Sequence, residues 1–170
     1  FERKSLDMVL ALLNAETGMP TESWLWGTND DGTDRFAHAL FDTCGRKAQT
    51  VYDDGRVQFY SGAAGKEALR LTTHDPRVSD GVVSESYAGP VGRAYLTRRT
   101  YEDGVVEHFT GTTPRQVAVR RRWMPDGTVL HMRGPRGSEV VTRVTHTPRA
   151  SAAPVSSAAP VDSVDSVEVC

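Results

Sequence analysis

The chain is poor in most of what marks a catalytic or secreted domain. Only two of its 170 residues are cysteines, Cys44 and Cys170, which argues against a disulfide framework. A catalytic cysteine needs a neighbouring base and a lowered pKa. No base stands near Cys44 in the sequence, so a buried, inert thiol is the expectation there. The formal net charge is −2, which argues against a nucleic-acid partner. No apolar run is long enough to span a bilayer, so the chain reads as soluble or peripheral to a membrane. Lysine is scarce, three against seventeen arginines, a bias that fits GC-rich coding better than a physical need. No nucleophile, base and orienting group stand in a recognisable pattern, so no enzyme activity, cofactor or metal is expected.

What is present is a repeat. Tyr101-Glu102-Asp103-Gly104-Val105-Val106-Glu107-His108-Phe109-Thr110-Gly111 reads as a turn, a strand and a second turn, and its outline recurs along the chain. The aspartates of the Asp-Gly pairs fall at 31, 54, 80, 103 and 126, in steps of 23, 26, 23 and 23. Gly62, Gly89, Gly111 and Gly134 close the outgoing strands, and each return strand carries arginine: Arg70, Arg98 with Arg99, Arg120 to Arg122, and Arg143. One unit is thus one hairpin, joined to the next by an Asp-Gly turn whose two residues are both expected at positive φ. The three extra residues between the second and third pairs fall at His74-Asp75-Pro76-Arg77, where Pro76 predicts a bulge or a longer loop. Alternation puts Val117, Val119 and Trp123 opposite Ala118, Arg120 and Arg122, and neither face is purely apolar. A sandwich needs one clean apolar face per strand, so the pattern predicts a single antiparallel sheet, open or partly rolled.

Tyr60-Ser61-Gly62, Tyr87-Ala88-Gly89 and Phe109-Thr110-Gly111, with Met132-Arg133-Gly134 as a weaker copy, resemble the aromatic-x-Gly signature of the membrane occupation and recognition nexus (MORN) repeat. The resemblance covers residues 48 to 147, with a degenerate first unit near Trp26. The family's later Gly-x-Gly pair is missing, and the gap from Asp-Gly to the aromatic is longer. Val129 to Glu139 is more similar to a variant, Asp-Gly-x-Val-x-His-aromatic-x-Gly-x-x-Gly-x-Glu, of marine algal proteins. The MORN resemblance implies an elongated antiparallel sheet that scaffolds proteins or lies near membranes.

Three segments follow: an N-terminal helical and aromatic segment over 1–25, the repeat domain over 26–148 and an Ala/Pro/Ser-rich tail over 149–170. Leu6, Val9, Leu10 and Leu13 share one helical face behind Ser5 as N-cap, with Asp7 in the first turn. They predict a short N-terminal α-helix over 5–14, ended by Gly18 and Pro20. Phe36 to Phe41 is the first expected strand. Trp24 and Trp26 flank Leu25 as the densest aromatic patch, suited to capping the sheet or anchoring a partner. His108 and His131 are one repeat apart but lack the three or four converging ligands that zinc requires. Arg120, Arg121 and Arg122, with Arg98, Arg99 and Arg143, form an arginine ladder. That ladder faces either acidic partners and phospholipid head groups or in-sheet pairing with Glu67, Glu85, Glu107 and Glu139.

The functional expectation is a non-enzymatic structural or adaptor subunit that binds other protein subunits of a larger complex. Its partner-binding residues are Trp24, Trp26, Arg120, Arg121 and Arg122. The algal likeness specifies an accessory subunit at the periphery of a photosynthetic or other organellar membrane complex, with the chloroplast as compartment. The alternative is a module binding lipid head groups or another anionic ligand, at a membrane surface, through the arginine-rich face. The tail, with no means of ordering alone, is expected to lie against a partner.

Overall fold

The computed structural model describes residues 8–28 and 32–147. These form twelve strands: β1 (Met8–Leu13), β2 (Pro20–Thr28), β3 (Asp34–Phe41), β4 (Lys47–Tyr52), β5 (Val57–Ser61), β6 (Ala68–Thr73), β7 (Val82–Ala88), β8 (Tyr95–Tyr101), β9 (Val106–Thr110), β10 (Ala118–Trp123), β11 (Thr128–Arg133) and β12 (Val140–His146). They lie side by side in chain order in one antiparallel sheet, with β1 and β12 at its edges. The sheet is open, and among the described residues there is no helix.

The helix predicted over 5–14 is therefore corrected where it can be seen. Met8–Leu13 is an edge strand paired with β2, with Leu10 opposite Trp24 and Leu12 opposite Glu22. A continuous apolar run of six residues fits either period, and pairing with β2 gives its backbone partners that an isolated short helix would lack. Gly18 acts in a hairpin turn and not as a helix stop. Its φ is 68°, its N–H donates to the Asn14 carbonyl, and the Asn14 side chain accepts from Glu16 and Thr17. The N-cap assigned to Ser5 and the tail over 149–170 lie outside the described residues.

Alternate turns line opposite rims. The Asp-Gly rim joins β4 to β5, β6 to β7, β8 to β9 and β10 to β11, where the repeat predicted its turns. The turn chemistry differs from expectation, because Asp80 alone of the described non-glycine residues has positive φ. At Tyr101 to Val105 the Gly104 N–H donates to the Tyr101 carbonyl and the Tyr101 N–H to the Val105 carbonyl, with Gly104 at 86°. This is a three-residue loop ending in a left-handed glycine. Asp103 serves through its side chain, whose Oδ1 accepts the Val105 N–H at 3.0 Å. Asp54 and Asp126 do the same for Arg56 and Thr128. The 74–81 connection is longer, as Pro76 predicted, and its Gly81 carbonyl accepts the Glu102 N–H of the next turn.

The opposite rim carries the Gly-x-x-Gly loops, and beside each of its six turns the return strand holds one residue too many. The register skips Thr21, Ala48, Arg70, Thr97, Arg120 and Thr142. A bulge of this kind bends a strand and increases its twist. Five of these six side chains, all but Ala48, donate to backbone carbonyls. The Thr21, Thr97 and Thr142 hydroxyls donate to Leu12, Ser86 and His131. The Arg70 and Arg120 guanidiniums reach the Gly89 and Gly134 carbonyls of the following loop. Glu67 and Glu139 accept the Lys47 and Val119 N–H groups one hairpin back. Consecutive hairpins are thereby locked to each other at the bulge.

The bulges decide which side chains share a face. On one face, here face A, each aromatic-x-Gly aromatic lies opposite an apolar residue just ahead of the bulge: Tyr60 with Leu69, Tyr87 with Leu96, Phe109 with Val119. Met132 and Val141 take these positions in the last hairpin. The best-buried apolar positions cluster around β9 to β11, at Val105, Val117, Ala118, Val119, Val129 and Met132.

Candidate binding face

One cross-strand row runs through the centre of face A and turns charged in the C-terminal half: Glu85, Arg99, Glu107 and Arg122 stand directly opposite one another on β7 to β10. Glu107 is only 4 % exposed, so its charge requires compensation. Arg122 donates to Glu107 Oε1 from Nε at 3.0 Å and Nη2 at 2.7 Å, while Tyr101 donates to Oε2 at 3.0 Å. Arg99 donates to Glu85 Oε1 at 2.8 Å and lies 3.8 Å from Glu107. Tyr87 and His74 complete the shell of Glu85 at 2.9 and 3.1 Å. Burial by itself would raise the Glu85 carboxyl, but the Arg99, Tyr87 and His74 partners outweigh it and hold the group below its ordinary range. Burial and the adjacent Glu85 push the Tyr87 phenol up to about 12.

A depression of about 450 Å³ lies on this face, lined by Tyr87, Leu96, Phe109 and Val119 together with Glu85, Arg99 and Glu139. Its carboxylates are already engaged, Glu85 with Arg99 and Glu139 with the Val119 and Gly137 N–H groups. Among the described residues no three His, Cys, Asp or Glu side chains converge as metal ligands.

Face B is different. Its corresponding row on β8 to β12 reads Arg98, His108, Arg121, His131, Arg143, each directly opposite the next. Arg98, Arg121 and Arg143 are exposed. By register no carboxylate stands on this face of these five strands. Trp123, 37 % exposed, packs edge-on to His108 with ring centroids 6.4 Å apart. Burial, then the Arg98 and Arg121 charges, hold the His108 imidazole below its ordinary pKa. His131 Nε2 is 3.0 Å from the Thr145 hydroxyl.

The predicted arginine ladder is thus split three ways by one inserted residue. Arg120 is the bulge and reaches Gly134, Arg121 joins the face B row, and Arg122 is turned onto face A against Glu107. Strict alternation would have put Arg120 and Arg122 together. Trp24 and Trp26 lie far along the sheet from this row, on β2, and also on face B. Trp24 stacks on His38 at 4.9 Å and 5°, and His38 meets Glu22 at 2.9 Å. Trp26 packs on Phe36 at 5.5 Å and remains 38 % exposed. Face B therefore has an aromatic and aliphatic end, with Leu10 and Leu12 half exposed, and a cationic end.

Sequence reasoning treated the histidines and arginines separately and so missed the alternating row. Its trace is in the numbering: 98, 121 and 143 are steps of 23 and 22, and 108 to 131 is a step of 23. Cys44 also departs from expectation. It is buried, as predicted, but disulfide-bonded and not a thiol. The only other cysteine of the sequence, Cys170, lies outside the described residues. No protein-family model, no curated protein and no solved structure matches the chain.

Proposed function

We propose that this chain is a non-enzymatic adaptor, a MORN-like hairpin sheet that docks by face B onto other subunits of a larger assembly. The observation that carries the reading is the contrast in arginine use. Arg99 and Arg122 are consumed by Glu85 and Glu107, whereas Arg98, Arg121 and Arg143 stand exposed in a row with no carboxylate across from them. Exposed guanidiniums aligned at fixed spacing suit planar, charge-assisted recognition of anionic groups. Trp24 and Trp26 add large, rigid contact area at the other end of the same face. A place at the periphery of a photosynthetic or other organellar membrane complex is the specification suggested by the algal likeness.

The test uses the tagged full chain and its Arg98→Ser/Arg121→Ser/Arg143→Ser variant as parallel baits in native extract, read by mass spectrometry. The expected result is a reproducible set of co-purifying subunits held by the unmodified chain and lost from the variant. Equal recovery by both removes the row from the interface.

A further inference from the structure

We propose that the row Arg98–His108–Arg121–His131–Arg143 binds an extended acidic segment of a partner protein, lying across strands β8 to β12, and takes up a proton at His108 as it does so. The inference rests on the docking reading above and adds the partner's chemistry and its control by pH.

Spacing supplies the first argument. Neighbouring strands are about 4.8 Å apart, so three arginines on every second strand repeat at about 9.6 Å, and the whole row spans about 19 Å. A polyproline II chain has three residues per turn and rises about 3.1 Å per residue, so side chains three apart share one side at about 9.3 Å. Acidic segments favour such extended forms because their charges repel. Carboxylates at every third residue would meet the three guanidiniums in turn. A bilayer fits less well, because seven register shifts add twist to the sheet and a twisted surface offers a flat membrane only part of the row.

The histidines supply the second argument. His108 lies between Arg98 and Arg121, and His131 between Arg121 and Arg143. Arg133 stands two residues from His131 on the same face, and Thr145 and Trp123 are the uncharged neighbours. Every charged group around either ring is therefore positive, and at His108 burial together with the Arg98 and Arg121 charges opposes protonation in the free protein. A bound carboxylate reverses the sign of the local field, so the bound form holds the proton more tightly than the free form. Affinity then rises as pH falls through the bound-state pKa and levels off below the free-state one.

The probe is poly-L-aspartate, which stays ionised from pH 8 to pH 6, titrated calorimetrically into the full chain at fixed ionic strength. Affinity should increase on the order of tenfold over that interval, with proton uptake visible as a dependence of heat on the buffer's ionisation enthalpy. His108→Gln should keep the pH 8 affinity and lose the increase, and the triple arginine variant should lose binding at both pH values. Circular dichroism of each variant guards against misfolding. A pH-independent affinity, or an increase that survives in the His108→Gln variant, overturns the inference while leaving the docking reading in place. Binding to phosphatidylserine–phosphatidylcholine vesicles but not to poly-L-aspartate overturns it in favour of a head-group ligand. Loss of the docking reading would instead show as equal partner recovery in the bait experiment, which does not depend on the probe.

Discussion

The two faces of the C-terminal half use the same residue type in opposite ways. On face A arginine is internal cement: Arg99 and Arg122 neutralise Glu85 and the buried Glu107, and tyrosine hydroxyls occupy the remaining acceptor positions. On face B arginine repeats every second strand with histidine between, and nothing within the sheet answers the charge. A satisfied polar network specifies one register and contributes to stability, whereas an unanswered one contributes nothing until a ligand arrives. The difference separates residues that hold the fold from residues that the sheet itself does not neutralise.

The sharpest way to break this contrast is at Glu107. Glu107→Ala leaves Arg99, Arg122 and the Tyr101 hydroxyl without their shared acceptor. Removing one partner of a buried pair costs 3 kcal/mol or more, and both guanidiniums are about a third exposed and can partly rehydrate. A loss of about 3 kcal/mol in urea unfolding is expected. A variant as stable as the parent would show that the ladder is ornamental.

The loop rim offers a second comparison. Gly111 has φ 126°, and a Cβ there would lie 2.7 Å from the Gln116 carbonyl oxygen. Gly137 has φ 80° with open space around it. Gly111→Ala meets both backbone strain and a backbone atom and should cost about 2 kcal/mol or more, against about 1 kcal/mol for Gly137→Ala, which meets strain alone. Equal melting temperatures for the two would mean the Gly111 loop opens freely.

Much of this architecture was legible because turns are written locally. Asp-Gly and aromatic-x-Gly each use a few adjacent residues, so the hairpins, their period and the long 74–81 connection could be read directly. The bulges could not, since a single extra residue such as Arg120 has no composition of its own, and Thr, Ala and Arg all fill the position. Yet each bulge inverts the faces beyond it, so everything about who meets whom at Arg121 and Arg122 depended on the unread feature. The N-terminal helix failed for another reason: Met8–Leu13 is apolar throughout, and a neighbouring strand decided between two periods that both fitted.

Glu139 links the bulge to pH. It accepts the Val119 and Gly137 N–H groups, and its own backbone N–H first, with these two bonds behind it, outweighs burial and holds its carboxyl below the ordinary range. A depressed folded-state pKa stabilises fully above the unfolded-state value and is lost as pH falls through the folded one. Thermal stability should therefore drop as pH is lowered from about 5 toward 3. Glu139→Gln should lower stability at pH 7 by about 1 kcal/mol and show a shallower acid loss than the parent. An unchanged acid slope in the variant would assign that loss to other carboxylates, Glu85 first.

The smallest expected effect is also the one that isolates face B. Arg98→Ser/Arg121→Ser/Arg143→Ser removes three charges that make no ion pair within the sheet, so unfolding free energy should move by less than about 0.5 kcal/mol. The direction should be upward. Neighbouring arginines of the row are about 9.6 Å apart, and two unit charges at that distance repel by about 0.4 kcal/mol in water before screening. Salt at physiological strength has a Debye length of about 8 Å and removes much of this repulsion. The parent should therefore gain a little stability between low and physiological salt, and the variant should not gain from this source. The comparison is made by chemical unfolding in urea, which adds no charge of its own. A clear loss of stability in the variant would mean that face B arginines hold the fold after all, and that the two faces differ less than their geometry implies.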